Sequence, residues 1–198
     1  MRLVLILLLF QGVVCANPST IASIIVKFNP YLDTKIADKY GIIIDKYSRE
    51  YGVSWKIVIA IFRQESNFDH KAINWKSRDF GMGQLNFMTI RRRKVDLGAL
   101  LTDSDYAIKQ TFLILKELKE RYNTGARGWY RWFTRYNSFT PHFRRKYNKN
   151  LERHLTKIEG FLDEQREEDR KRTGSDSGAE RRDISGLQKG DVANGAGD

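Results

Sequence analysis

The sequence predicts a mainly α domain. Apolar residues recur at helical spacing in several separate stretches, and glycine, asparagine and proline punctuate the gaps between them. No alternation of strands and helices is present, and no glycine-rich phosphate loop follows a strand. At 198 residues, with 41% hydrophobic side chains, the chain holds enough apolar surface for one packed domain with appendages.

The elements follow in order. Arg2 precedes an apolar run from Leu3 to Phe10, continued by Val13 and Val14, and Val14-Cys15-Ala16 offers a cleavage site before Asn17. Residues 1–16 therefore read as a secretory signal peptide, too short for a comfortable membrane span. A lipid anchor on Cys15 and an uncleaved anchor are the competing readings. Residues 17–32, with Pro18 and Pro30, read as a lead-in to the domain. Residues 33–51 predict an amphipathic helix with Ile36, Tyr40, Ile43, Ile44, Tyr47 and Tyr51 on one face, ended by Gly52. Ser54 is the expected N-cap of a second helix running to Glu65. Residues 67–86 hold many turn formers and predict a loop with short extended pieces, at most a small β-hairpin. Thr102 or Asp103 can cap a helix over about 103–122 with the stripe Ile108, Phe112, Leu115, Leu118 and Tyr122, stopped by Asn123-Thr124-Gly125. The aromatic-rich residues 128–138 read as helical, and Pro141 can open a last helix. From about residue 166 the apolar residues run out, so 17–165 is the expected domain and 166–198 a disordered polar tail.

Charge is uneven. Residues 17–160 carry 27 Lys and Arg against 14 Asp and Glu, a net of +13, while 161–198 carry 7 against 10. The basic part implies an anionic partner. For an exported protein a cell-wall polymer ranks above nucleic acid, for which no reading motif is present. Arg91-Arg92-Arg93-Lys94 is the densest basic run, either a solvated helix face or a contact with anionic polymer. Cleavage after Ala16 removes the one cysteine, and with it thiol nucleophiles and cysteine-ligated zinc. His70, His142 and His154 lack metal-ligand spacing and read as surface or cap residues. No metal and no cofactor are expected.

The residue that points to chemistry is Glu65. Counting 55, 58, 62, 65 along the helix places it on the same face as Trp55, Val58 and Phe62. A carboxylate on a core-facing stripe is costly unless it is paired or protonated. Burial raises a carboxyl pKa, which is what the proton donor of a glycosidase needs. Alone, such a glutamate reads more readily as a structural partner for an arginine such as Arg63 or another nearby.

Three ordered motifs shift that balance: Gln64-Glu65-Ser66-Asn67-Phe68, then Ser77 to Asn86 with Gly81-Met82-Gly83-Gln84 inside it, then Arg135-Tyr136-Asn137-Ser138. Together they resemble the lysozyme-like lytic transglycosylases, the catalytic domain of soluble lytic murein transglycosylases, over about residues 40–160. Small transglycosylases that accompany secretion and conjugation machines share the pattern, the size and the leader. The middle motif is also similar to the animal-lysozyme segment in which Asp79 would fall on the second carboxylate. Two departures stand out: Gly83 replaces a larger apolar residue, and Ser138 follows the Tyr-Asn pair.

The resemblance implies that Glu65 is the acid and then the base in cleavage of peptidoglycan between N-acetylmuramic acid and N-acetylglucosamine. The implied product is a 1,6-anhydromuramyl end. The substrate-binding set is Ser66, Ser77, Gly81, Gln84, Tyr136 and Asn137. Each has a plain alternative: Ser66 as a helix-end cap, Gln84 as a loop-stabilising amide, Tyr136 as a core aromatic. Asp79 reads either as the second carboxylate of a hydrolytic lysozyme or as a turn residue. Trp129, Tyr130, Trp132, Phe133 and Tyr136 divide between core and sugar-stacking roles. The rivals to the transglycosylase are a lysozyme using Glu65 and Asp79, and a non-catalytic basic wall-binding module. The expected setting is periplasmic or secreted. The protein is read as a monomer on glycan strands, in company with a secretion or conjugation apparatus in some settings, without nucleic acid.

Overall fold

The computed structural model describes residues 17–123, 125 and 131–179. The expected leader over 1–16, the aromatics Trp129 and Tyr130, and residues 180–198 lie outside the described residues. By contact density the chain divides into two units, 1–158 and 159–198.

The first unit is built from helices and one small sheet. Helix α1, Pro18–Phe28, occupies the stretch read as a lead-in. Its start signals are local: the Asn17 side chain accepts the Ser19 N–H at 3.2 Å, and Pro18 sits where its missing N–H costs nothing. Ile21, Ile24, Ile25 and Phe28 form the buried stripe. Helix α2, Thr34–Tyr51, is capped by Asp33, whose carboxylate accepts from the N–H of Lys35 (2.8 Å) and Ile36 (3.3 Å), and it ends at Gly52 in the left-handed region. A side chain at Gly41 would meet the Pro18 carbonyl at 2.5 Å, so this glycine lets α1 and α2 cross closely.

Helix α3, Trp55–Glu65, is the central helix. Val58, Ile59, Ala60, Ile61 and Phe62 are fully buried, so it is covered on all sides rather than on one stripe. Ser54 holds the N-cap position as expected, but its hydroxyl makes no capping bond. The chain leaves α3 through Asn67 and Phe68, both at positive φ (55° and 68°), which asparagine adopts readily and a bulky phenylalanine seldom does. Arg63 bonds the Asn67 side chain, and the Asn29 amide donates to the Asn67 carbonyl at 3.0 Å. Phe68 itself is buried.

The loop of residues 67–86 contains three two-residue strands, β1 Ile73–Asn74, β2 Asp79–Phe80 and β3 Leu85–Asn86. They form an antiparallel sheet in the order β1-β2-β3, with Asn74 opposite Asp79 and Asp79 opposite Asn86. Two short helices follow that the sequence pattern does not announce: α4, Phe87–Arg93, capped by Asn86, and α5, Leu97–Thr102, capped by Asp96. Helix α6, Ser104–Tyr122, is capped by Asp103 and buries Ile108, Phe112 and Leu115. Full burial of side chains of this size contributes about 1.5–3 kcal/mol each. Within the stretch 128–138 that reads as helical, a short 3₁₀ helix spans Trp132–Tyr136, with Trp132 and Phe133 in the core.

Helix α7 spans Pro141–Ala179. In the first unit its inward face is Arg144, Tyr147, Asn148, Leu151 and Ile158. In the second unit the helix continues to Ala179, so residues 166–179 are helical where the composition predicts an unfolded tail. No proline follows Pro141, and opposite charges sit three or four apart, as in the Asp163–Arg166 pair at 2.7 Å. Among the described residues no helix is long and apolar enough to cross a membrane.

Candidate active site

A groove of about 520 Å³ opens over the C-terminal end of α3. The sheet, α4, α6 and the segment 135–139 contribute the rest of its lining. Glu65, Asp79, Gln84, Tyr136 and Asn137 all line it, so five of the residues singled out from sequence come together.

Glu65 is the carboxyl group at the end of α3 in this lining. It is largely buried at the base of the groove, and burial pushes its carboxyl up from 4.5 to about 7. The Tyr147 hydroxyl donates to Glu65 Oε1 at 2.6 Å and partly opposes that rise, while the charge of Asp79 adds to it. Near neutral pH the group is therefore poised to give and take a proton. With Oε1 accepting from Tyr147, the acid's proton belongs on Oε2. Burial, together with the nearby Glu65 charge, raises the Tyr147 hydroxyl well above its ordinary value, so it remains a donor.

Tyr147 was not singled out from sequence. It lies 82 positions from Glu65 on the charged last helix. The signal that could have found it is the stripe Arg144, Tyr147, Leu151, in which one tyrosine interrupts a basic, polar segment at helical spacing.

The other candidates divide into groove-facing and supporting residues. Ser66 donates its hydroxyl to the Met82 carbonyl at 2.8 Å, tying the end of α3 to the β2–β3 turn. Gly81, at φ 75°, also packs against α5: a side chain there would meet Leu100 Cγ at 3.1 Å. Gln84 sits at φ 48°, and its amide donates to the Ala72 carbonyl (3.1 Å) and the Gly81 carbonyl (2.9 Å). It is thus a loop-stabilising amide that also lines the groove. Ser77 is exposed in the β1–β2 connection and is not part of the groove lining; its carbonyl accepts from the Asn86 amide at 3.0 Å.

Tyr136 explains the glycine at position 83. Its hydroxyl donates to the Gly83 carbonyl at 2.8 Å. A side chain at Gly83 would meet that hydroxyl at 2.5 Å and collide with Thr111 Oγ1. The space a larger residue would fill is occupied by these two hydroxyls. Burial and the Glu65 charge both raise the Tyr136 pKa, so it stays protonated.

Asp79 is held by the Asn86 amide, which donates to Asp79 Oδ1 at 2.9 Å across the β2–β3 pair. It is both a groove-lining carboxylate and a sheet residue. Among the described residues the aromatic side chains that line the groove with Tyr136 are Tyr122 and Phe139, not Trp132 or Phe133: the Tyr122 and Phe139 rings meet edge-on at 6.0 Å, with the Arg135 guanidinium 4.1 Å from the Tyr122 ring centre.

The histidines do not gather. His70 shares a 3.0 Å hydrogen bond with the Tyr40 hydroxyl, His154 a 3.3 Å one with Gln64, and His142 stands against Phe143. Two of the three therefore make tertiary contacts rather than lying free on the surface. Among the described residues no group of three or more His, Cys, Asp or Glu side chains is placed to hold a metal ion.

Residues 42–158, more than half of the chain, match the family described as the Transglycosylase SLT domain. No curated protein and no solved structure matches the chain. The matched span runs from α2 to the inner part of α7 and includes Glu65, the sheet, Tyr136 and Tyr147. Its mainly helical build with one small antiparallel sheet is a lysozyme-like fold. The chain belongs to the SLT family of lysozyme-like lytic transglycosylases, enzymes whose substrate is peptidoglycan.

Proposed function

We propose that this protein cleaves the β-1,4 bond between N-acetylmuramic acid and N-acetylglucosamine and leaves a 1,6-anhydromuramyl end. The observation that carries this reading is Glu65, a carboxyl raised to about 7 and fixed by Tyr147 at the base of a groove. The Glu65 proton passes to the glycosidic oxygen as the bond from that oxygen to muramyl C1 breaks. The 6-hydroxyl oxygen of the same muramyl residue then bonds to C1, and its proton returns to Glu65. One group acts as acid and then as base, and no water is consumed.

Asp79 supports a second reading. It lines the same groove and its charge acts on Glu65, so it can stabilise positive charge at C1 in a hydrolytic reaction. Product analysis in ¹⁸O-labelled water separates the two. The transglycosylase releases anhydromuropeptides without label, from the wild type and from Asp79→Asn alike. Labelled reducing ends, lost in Asp79→Asn, would establish the lysozyme instead. Glu65→Gln should abolish activity on purified sacculi; an unchanged rate would refute Glu65 as the acid, and a wild type without activity would leave the wall-binding module as the reading. The basic charge and the expected leader support work outside the cytoplasm, where the polymer lies.

A further inference from the structure

The groove carries more positive charge than a neutral sugar polymer calls for. Arg92, Arg93, Arg121 and Arg135 line it against the carboxyl groups of Glu65, Asp79 and Glu117, of which Glu117 alone is on the wall that carries Arg92 and Arg121. Arg93 takes both Glu117 oxygens, with Nη1 and Nη2 each at 2.6 Å, so this pair is closed. Arg135 lies against the rings of Tyr122 and Phe139. Arg92 and Arg121 differ. Both are exposed, both line the groove, and neither has a carboxylate in hydrogen-bond contact among the described residues. Both are near enough for their charges to act on Glu117, which already accepts one Arg93 bond on each oxygen. The result is three guanidiniums around one carboxylate, a local excess of positive charge on the wall formed by α4 and α6.

The sugar rings of peptidoglycan present hydroxyls and acetamido groups without charge. The carboxylates of the polymer are on the short peptide carried by each muramyl residue. Guanidinium groups match carboxylates in shape and charge, and bind them by paired N–H donors. We propose that Arg92 and Arg121 read the carboxylates of the stem peptide, so that the groove prefers peptide-bearing glycan over stripped glycan. This rests on peptidoglycan being the substrate and adds the part of it that sets specificity.

The test uses the full-length protein and soluble disaccharide-peptides, which lack the muramyl-to-glucosaminyl bond and so are bound without being cut. Three ligands are compared by calorimetry: the natural disaccharide-tetrapeptide, the same compound with its carboxyls converted to amides, and the disaccharide freed of its peptide, which keeps a lactyl carboxylate. The wild type should favour the natural ligand over the amidated one. Arg92→Gln with Arg121→Gln should lower that preference by about tenfold, roughly threefold for each exposed pair. Arg91→Gln removes one such charge from α4 outside the groove lining and should leave the preference in place, where Arg92→Gln alone lowers it. An unchanged preference in the double variant overturns the assignment, as does an equal loss in Arg91→Gln, which would mean general attraction. Equal binding of the natural and peptide-free ligands would transfer the role to the lactyl carboxylate and overturn the stem-peptide assignment. Because binding is read without cleavage, a protein that binds selectively but cuts no glycan strand refutes the proposed reaction and not this inference.

Discussion

Replacing Glu65 by glutamine should make the protein more resistant to unfolding, and increasingly so as pH rises. In the folded state burial lifts the carboxyl from 4.5 to about 7. Between those values the folded chain holds a proton that the unfolded chain has released. Stability supplied by the group is therefore full below pH 4.5 and is lost as pH rises through about 7. The rise, at about 1.4 kcal/mol for each tenfold change in proton affinity, amounts to about 3 kcal/mol. Part of the group meets solvent in the groove, so this is an upper figure. Glutamine has the same shape, and its carbonyl can still accept the Tyr147 hydroxyl, so the comparison isolates the charge. Urea unfolding of the wild type and of Glu65→Gln at pH 4 and pH 8 measures the effect. The stability difference between the two proteins should change by up to about 3 kcal/mol over that interval, in favour of glutamine at pH 8. Parallel pH dependence would show that Glu65 titrates normally and would remove the basis for its role as acid.

Two further outcomes follow from contacts around the same carboxyl. Tyr147→Phe removes the one hydrogen bond that lowers the Glu65 pKa, so the alkaline limb of the pH–rate profile should move to higher pH. The rate at the optimum should also fall, by about 10- to 100-fold, as the carboxyl loses its fixed orientation; an unmoved alkaline limb would refute the coupling. Gly83→Ala should cost about 1–3 kcal/mol in thermal or urea unfolding, because the methyl must displace the Tyr136 and Thr111 hydroxyls. Combined with Tyr136→Phe it should cost less than the sum of the two single changes, and strict additivity would count against a shared space.

The parts of the site that could be read from the sequence are those carried by local pattern. Glu65 was visible because a charged residue at position 65 continues the apolar series 55, 58, 62. The sheet was foreseen only as possible short extended pieces, since two-residue strands leave no period to detect. Helix α1 lies in the stretch that reads as a lead-in, although proline at a first helical position is a start signal and Asn17 before it is a cap. Helices α4 and α5 are seven and six residues long, below the length at which periodicity is informative. The stripe Arg144, Tyr147, Leu151 marks Tyr147 as inward-facing, but local pattern does not give its partner. Its function depends on a contact spanning 82 positions, and nothing in its own neighbourhood indicates a carboxyl as the partner. Gly83 marks a different limit: the motif shows that a larger residue is missing, and only the packing shows which hydroxyls take its place.

The Gln84 amide has a consequence for the direction in which the groove can bond its substrate. Its nitrogen is committed to two backbone carbonyls, of Ala72 and Gly81. What is left for a ligand is the carbonyl oxygen alone, a pure acceptor. A sugar group that meets Gln84 must therefore arrive as a donor, an acetamido N–H or a hydroxyl, and a sugar turned to offer its acetyl oxygen there would face another oxygen. One side chain, fixed by the turn it stabilises, thus imposes a polarity on how a glycan strand can lie.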